Sequence, residues 1–444
     1  MTDAAIEWWG KAGDQALRRS AFQEAISHLG KAIEMADVPE TGHRVPHSAA
    51  ALRRGSQRLQ LQGAYGNALL QARGMQSPET QSAFRRAREL ADGGDDPVQR
   101  FSTYYGLWAG HFVRGDLPAM QEIAGLVLHE IEDRPISLEA VVAYRLNGAT
   151  QHFAGNFAAA NAFIERSLGI FDPRRHGDEG LRFAQDIGVT ITAYLALVLW
   201  PLGAIDRARA VAEETMGRAT QVGHPSTLAY ARFHLAIFEM MRRSFGAAAA
   251  HIEGLVNVSR AHEMEMWTAY GEFLAPWTRR GRNSFAATLA EMRRGVRTCR
   301  EQALGNYIPF FNAVLAETEA EAGELESALA TIDNAIAEIE RGGQRRFAAE
   351  SYRIRGEILL KPDPANTTPA EEAFLTAISV AQQQKARSFE LRAALSLAKL
   401  YQSANRAAEA HAVLAPALEG FSPTPEFAEV EEAQRLLAGL ALQL

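Results

Sequence analysis

GNFAAANAFIERSLGIF, residues 155–171, begins on a turn residue, then carries an aromatic side chain and an alanine at a fixed offset, and continues with apolar positions three and four apart. The same arrangement returns in RSAFQEA (19–25), GAIDRA (203–208), RSFGAA (243–248), GRNSFAA (281–287), GELESA (323–328) and ANRAAEA (404–410). In each, a small or turn residue closes one helix, and an amphipathic helix bearing the alanine opens the next. From residue 155 onward the starts lie 38 to 48 residues apart, with one double interval where KPDPANTTPAEEA (361–373) blurs the pattern.

Physical reasons favour that period. Two helices of about 15 residues, each ~22 Å long, use up most of it. A single pair has too little interior of its own and must bury its apolar face against the next pair. Ala and Gly at the crossings let helix axes approach, while Phe or Leu beside them fills the groove. Strand signals are nearly absent, with no sustained apolar/polar alternation. The sequence therefore predicts an all-α, tetratricopeptide-like α-solenoid, a right-handed superhelix of about ten helix pairs. The spans read as 4–37, 46–92, 96–132, 135–171, 181–222, 224–261, 263–302, 305–341, 344–385 and 387–420, with a capping helix from Pro425 to Leu444. Pro39, Pro46, Pro78, Pro97, Pro135, Pro173, Pro225 and Pro369 fall where helices start or have just ended. Residues 1–444 read as one array: N-terminal repeats over 1–92, central repeats over 93–302, and acidic C-terminal repeats with the cap over 303–444. DPRRHGDEG (172–180) and KPDPANTTPA (361–370) are irregular joints, long enough to be functional loops.

Composition narrows the function. The net charge of −7 argues against a nucleic-acid binder, which needs a basic excess. A single cysteine, Cys299, excludes an intrachain disulfide framework and any multi-cysteine metal site. The opening MTDAAIEWWGKAGDQALRRS has no secretory pattern, and the expected setting is cytoplasmic. Ile187–Ile205 is uncharged and long enough to span a bilayer, but its two threonines, Tyr194, Pro201 and flanking aspartates read as a central buried helix, so no membrane is expected.

Several stretches resemble a known family. YYGLWAGHFVRGDL (104–117), FDPRRHGDE (171–179), QDIGVTITAYLALVLWPLG (185–203), GHPSTLAYARFHLAIFEMMRR (223–243) and SFELRAALSLAKLYQSANRAAEAHAVLAP (388–416) are similar, in shared order, to the C-terminal tetratricopeptide region of bacterial adenylate/guanylate cyclase domain-containing proteins, also described as predicted STAND-type ATPases. EWWGKAGDQALRRSAFQEAISHLGKAIE (7–34) looks like the segment that follows the NTPase in such proteins. The resemblance implies a regulatory module acting beside cyclase and NTPase domains. Their catalytic motifs do not carry over: the chain has no G-x-x-x-x-G-K-[ST] phosphate loop and no paired cyclase aspartates in a strand context.

Other chemistry is thin. His43 and His47 are interrupted by Pro46, no HExxH occurs, and no metal site or cofactor is expected. Gly10 with Gly13 and Gly106 with Gly110 read as close helix packing. Cys299 sits among arginines but near no histidine, so no catalytic residue is assigned. Arginine clusters at 53–58, 85–88, 279–282 and 293–300 face an acidic C-terminal third, where residues 301–444 carry 21 acidic against 12 basic side chains; they read as solvated faces balanced by carboxylates.

One constellation stands out on the first helices of the middle units. Tyr104, Trp108 and His111 share a helix face; Arg145 and His152 are seven apart; Gln185 and Asp186 precede the helix carrying Tyr194; Tyr230 and His234 are four apart; Trp267 and Tyr270 follow. First helices line the concave side of such arrays, so these residues are expected to converge on a groove that takes a protein or peptide partner or a small effector. Two alternatives are an enzyme with an interior polar pocket around Asp186 and His111, with His152 and His176, and a self-associating scaffold in transcriptional regulation, suggested by Trp8 and Trp9.

Overall fold

The computed structural model describes residues 2–38, 49–74, 77–92, 97–180, 185–280, 284–362 and 367–442. Among them are twenty-two α-helices and one short 3₁₀ turn, paired consecutively. The first half pairs α1 (Thr2–Arg18) with α2 (Phe22–Asp37), α3 (Ala49–Arg73) with α4 (Pro78–Asp92), α5 (Pro97–Arg114) with α6 (Leu117–His129), and α7 (Leu138–Ala154) with α8 (Phe157–Ile170). A short α9 (Pro173–Gly180) precedes the pair α10 (Ile187–Leu199) and α11 (Ile205–Val222). Then come α12 (Pro225–Met241) with α13 (Phe245–Ala261), α14 (Glu265–Trp277) with α15 (Phe285–Glu301), and α16 (Ile308–Glu321) with α17 (Leu325–Gly342). The 3₁₀ turn Arg345–Phe347 leads to α18 (Ala348–Leu360) with α19 (Thr368–Gln383), α20 (Arg387–Ser403) with α21 (Ala407–Leu418), and the terminal α22 (Ala428–Ala441). Ten pairs and a cap match the sequence reading. The joint expected at 172–180 is instead largely helical, as α9. His43, His47, Pro39 and Pro46 lie outside the described residues.

The repeated motif has a backbone meaning. Ser20, Gly155, Gly203, Arg243, Gly323 and Asn405 all have positive φ, between 56° and 85°. This left-handed residue ends the first helix, and the amide after it donates back five residues, as in Asn156 N to Gln151 O at 2.9 Å and Ser244 N to Glu239 O at 2.9 Å. Glycine takes that conformation freely; serine, arginine and asparagine take it here because the turn closes orphan carbonyls. Five residues on, Ala25, Ala160, Ala208, Ala248, Ala328 and Ala410 are each fully buried where the two helices cross.

The coil also closes on itself. The joints inside pairs one, three and five dock on the start of the pair five units later. Ser20 Oγ meets His224 Nε2 at 3.1 Å, joining pairs one and six. Asn306 N donates to Val113 O at 3.2 Å, joining pairs three and eight. Ser388 N and Oγ donate to Pro201 O at 3.1 Å and Trp200 O at 2.6 Å, joining pairs five and ten. Gly305 permits the approach, since a Cβ there would lie 2.1 Å from Arg114 O. The first helices consequently lose their open face. Every residue of α10 is buried, and so is all of α7 except Gln151 and Ala154. The uncharged 187–205 run thus holds the interior helix α10 and the turn that leads into α11, and no helix among the described residues is long and apolar enough to cross a membrane.

Candidate functional site

Inside the coil, α7 sets Arg145 and His152 on one face, α10 contributes Tyr194, α12 contributes Tyr230 and His234, and α14 contributes Trp267 and Tyr270. The next turn of the coil adds Tyr307, just before α16, and Arg346 from the 3₁₀ turn. Ring centroids trace the cluster: His152 to Tyr194 at 5.6 Å, Tyr194 to His234 at 5.3 Å, His234 to Tyr230 stacked at 4.1 Å, and His234 to Tyr307 at 6.3 Å. The Arg346 guanidinium lies 3.5 Å from the centre of the Phe153 ring and 4.4 Å from that of Tyr307, bridging pairs nine and four. Arg145 lies 5.4 Å from the Trp108 ring and 5.7 Å from Tyr105.

Some polar atoms here are satisfied. Arg346 Nη2 donates to Asn306 O at 2.6 Å, and the Tyr270 hydroxyl donates to Asn306 Oδ1 at 2.7 Å. His234 Nδ1 lies 2.8 Å from the Tyr230 carbonyl, which can only accept, so Nδ1 carries the proton and Nε2 is an acceptor. Trp108 Nε1 donates to Thr150 Oγ1 at 2.9 Å. Many are not. Arg145 Nε, His152 Nδ1, the Tyr194 and Tyr307 hydroxyls, His234 Nε2, Trp267 Nε1, and Nε and Nη1 of Arg346 are buried with no hydrogen-bond partner in the protein. Protein interiors leave few such atoms, and eight of the twenty-one found among the described residues fall in this one cluster.

Electrostatics sharpen the point. Burial first, then Arg346 and His234, push His152 well below the usual imidazole value, and burial brings His234 down to about 3. Both rings are therefore neutral. Burial also holds the Tyr194 and Tyr270 phenols far above their ordinary range, and Tyr307 up to about 12. Burial lowers Arg346 to about 10, leaving it charged at neutral pH, with only tyrosines opposing the shift. Among the described residues no carboxylate pairs with Arg346 or Arg145. The cluster is aromatic, rich in unused donors and positively charged.

The twelve residues selected from sequence thus divide. Ten are buried, and Tyr104 and His111 are half-buried, so the predicted concave face is enclosed instead of forming an open groove. Arg145, His152, Tyr194, Tyr230, His234, Trp267, Tyr270 and Trp108 come together. His111 Nδ1 instead meets Asp116 at 2.9 Å near the end of α5. Gln185 donates to Ser226 at 3.1 Å. Asp186 caps α10 through Val189 N at 2.8 Å and holds Arg218 in two bonds of 2.6 and 2.8 Å. His176 Nδ1 accepts from Asp172 N at 3.1 Å. Asp186, His111, His152 and His176 therefore serve separate local structures and assemble no shared acid–base pair. Cys299 is buried, with burial and Glu272 pushing its thiol up to about 12. Tyr307 and Arg346 were not selected, because they stand in inter-helix joints where no periodicity singles them out.

A second buried charge group lies farther along. Arg353 bonds Glu350 at 3.1 Å and Glu357 at 2.5 Å, and Arg392 bonds Glu429 at 2.6 Å with Glu350 at 3.7 Å. A cavity of about 130 Å³ beside it is lined by Met240, Met241, Trp277, Glu350, Arg353 and Arg392, among others.

The fold defines a tetratricopeptide-like helical-repeat protein, a class whose members bind proteins or ligands. The chain matches no described protein family. It is similar to the uncharacterized protein R02095 of Rhizobium meliloti (strain 1021), 22% identical over 405 residues, covering 90% of this chain and 38% of that protein. The chain thus spans well under half the length of this curated relative. Among solved structures it is similar to a Rap protein complexed with competence and sporulation factor (8% identity, all of both chains, TM-score 0.47). Others are yeast Tom70 (11%, 100% of this chain and 97% of that one, TM-score 0.36) and the human IFIT1 dimer with m7Gppp-AAAA (13%, 94% and 87%, TM-score 0.41). These likenesses concern the fold alone.

Proposed function

We propose that the chain is a non-catalytic binding and sensing module in which a small effector enters the enclosed cluster and sets how tightly successive turns of the coil pack. The carrying observation is the set of buried donors and acceptors without protein partners, contributed by both turns: Arg145, His152, Tyr194 and His234 from one, Tyr307 and Arg346 from the other. A ligand satisfying both sides links its occupancy to closure of the superhelix, and any differential affinity shifts that equilibrium. The sequence resemblance supports placing such a module in a cytoplasmic cyclase/STAND NTPase signalling protein or a stand-alone relative, with closure passed to neighbouring domains or to a protein partner.

The test is a thermal-shift screen of metabolites and short peptides against the parent chain, Tyr194→Phe and His234→Leu. The reading expects stabilising small molecules whose effect is lost or reduced in both variants. Stabilisers that act equally on all three proteins would place binding elsewhere and end the reading.

A further inference from the structure

We infer that the effector is a small organic anion, a carboxylate or phosphate on a flat apolar body, held between Arg145 and Arg346. The inference rests on the interior-site reading above and adds the ligand's chemistry. Each guanidinium is buried, at 5% and 2% exposure, and neither has a carboxylate partner among the described residues. Isolated charge in such surroundings is expensive, and proteins normally neutralise it with a fixed counter-ion. Here two positive charges share the company of the same Tyr194 and His234, and both neighbouring imidazoles stay neutral, so no acid in the cluster supplies the balance. The missing negative charge belongs to what binds.

Geometry supplies the remaining specification. Arg346 is anchored by one nitrogen, Nη2 to Asn306 O, while Nε and Nη1 remain unused. Guanidinium nitrogens favour the oxygens of a carboxylate or phosphate, and the fork geometry rewards planar contacts. The Tyr194 hydroxyl, which approaches those of Tyr230 and Tyr307, offers a further donor. His234 Nε2 can only accept, so it selects a ligand that also carries a hydroxyl. The Tyr230 and Phe233 rings pack on His234 and on Trp267, with centroids 5.5 to 6.1 Å from that of Trp267, and give the cluster aromatic surface suited to a flat ring.

Calorimetric titration tests this with three probes: 4-hydroxybenzoate, phenyl phosphate and the neutral methyl ester of 4-hydroxybenzoate. Proteins compared are the parent chain, Arg346→Met, Arg145→Met and the charge-keeping Arg346→Lys, each first shown to be folded by circular dichroism and cooperative melting. The expected result is binding of at least one anion to the parent, weakened about tenfold or more in either Met variant and less in the Lys variant, with the ester binding at least about tenfold more weakly. Carboxylate against phosphate preference identifies the acid group. Equal binding of ester and acid overturns the anion inference but leaves an interior ligand site standing. Anion binding unchanged in both Met variants, or no binding of either anion at millimolar concentration, overturns it as well. In those cases the screen above independently decides whether the interior takes a neutral ligand.

Discussion

Two sets of buried arginines lie in this coil under opposite conditions. Arg353 and Arg392 sit among Glu350, Glu357 and Glu429. Burial alone would raise the Glu350 and Glu357 carboxyls, yet Arg353 keeps both below their ordinary value, and the same acids hold Arg353 well above its own. Arg346, equally enclosed, has aromatic faces and a backbone carbonyl but no acid, and burial lowers it. The first set is a network in which acids face the arginines, although Arg392 keeps Nη2 without a partner and is itself lowered by burial. In the second, the protein supplies one half of an electrostatic complement.

The contrast can be broken at either end. Glu350→Ala strands part of two buried guanidiniums and should cost about 3–5 kcal/mol in denaturant unfolding. Gly305→Ala drives a methyl group into the Arg114 carbonyl and should cost about 2–3 kcal/mol, with a larger radius of gyration in small-angle scattering as the turns part. A compact, fully stable Gly305→Ala protein would refute the closure.

Acid separates the two regions next. His152 and His234 have folded values below the ordinary 6.5, so the unfolded chain binds more protons as pH falls beneath that value. Their stabilising effect is whole above pH 6.5 and declines by about 1.4 kcal/mol per pH unit for each ring, over a window that for His234 extends to about 3. His224 and His251 are lowered by burial and add in the same direction. The depressed carboxylates of the paired network contribute only below their ordinary 4.5. Melting temperature should therefore already fall between pH 6.5 and 4.5, and His234→Leu should flatten that slope. The smallest effect is expected at Arg346→Met, which removes a charge that has no counter-ion among the described residues and should leave free-protein stability within about 1 kcal/mol, or raise it. A loss as large as that of Glu350→Ala would mean Arg346 is already balanced.

How much of this was legible follows from the range of the contacts. The helix pairs were readable because the turn residue and the alanine five positions later, as at Gly155 and Ala160, are local requirements repeated along the chain. The interior cluster was half readable: spacing put Arg145 with His152 and Tyr230 with His234 on common faces. Closure was not readable. Ser388 meeting Pro201 and Asn306 meeting Val113 join positions nearly two hundred residues apart through ordinary side chains and backbone, which leave no periodic trace. For the same reason Tyr307 and Arg346, delivered by the second turn, escaped notice, and an enclosed interior read as an exposed groove.

Amide hydrogen exchange at Ser388 and Asn306 is the most direct probe. Ser388 is the second residue of α20, where a helix offers its own amide no acceptor, so its protection depends on Pro201 across the coil. Exchange as slow as in the middle of α20 at both amides, slowing further when the interior is occupied, is the predicted result. Exchange at the rate of an exposed loop, unchanged by any stabilising ligand, would contradict a coil that closes around its effector.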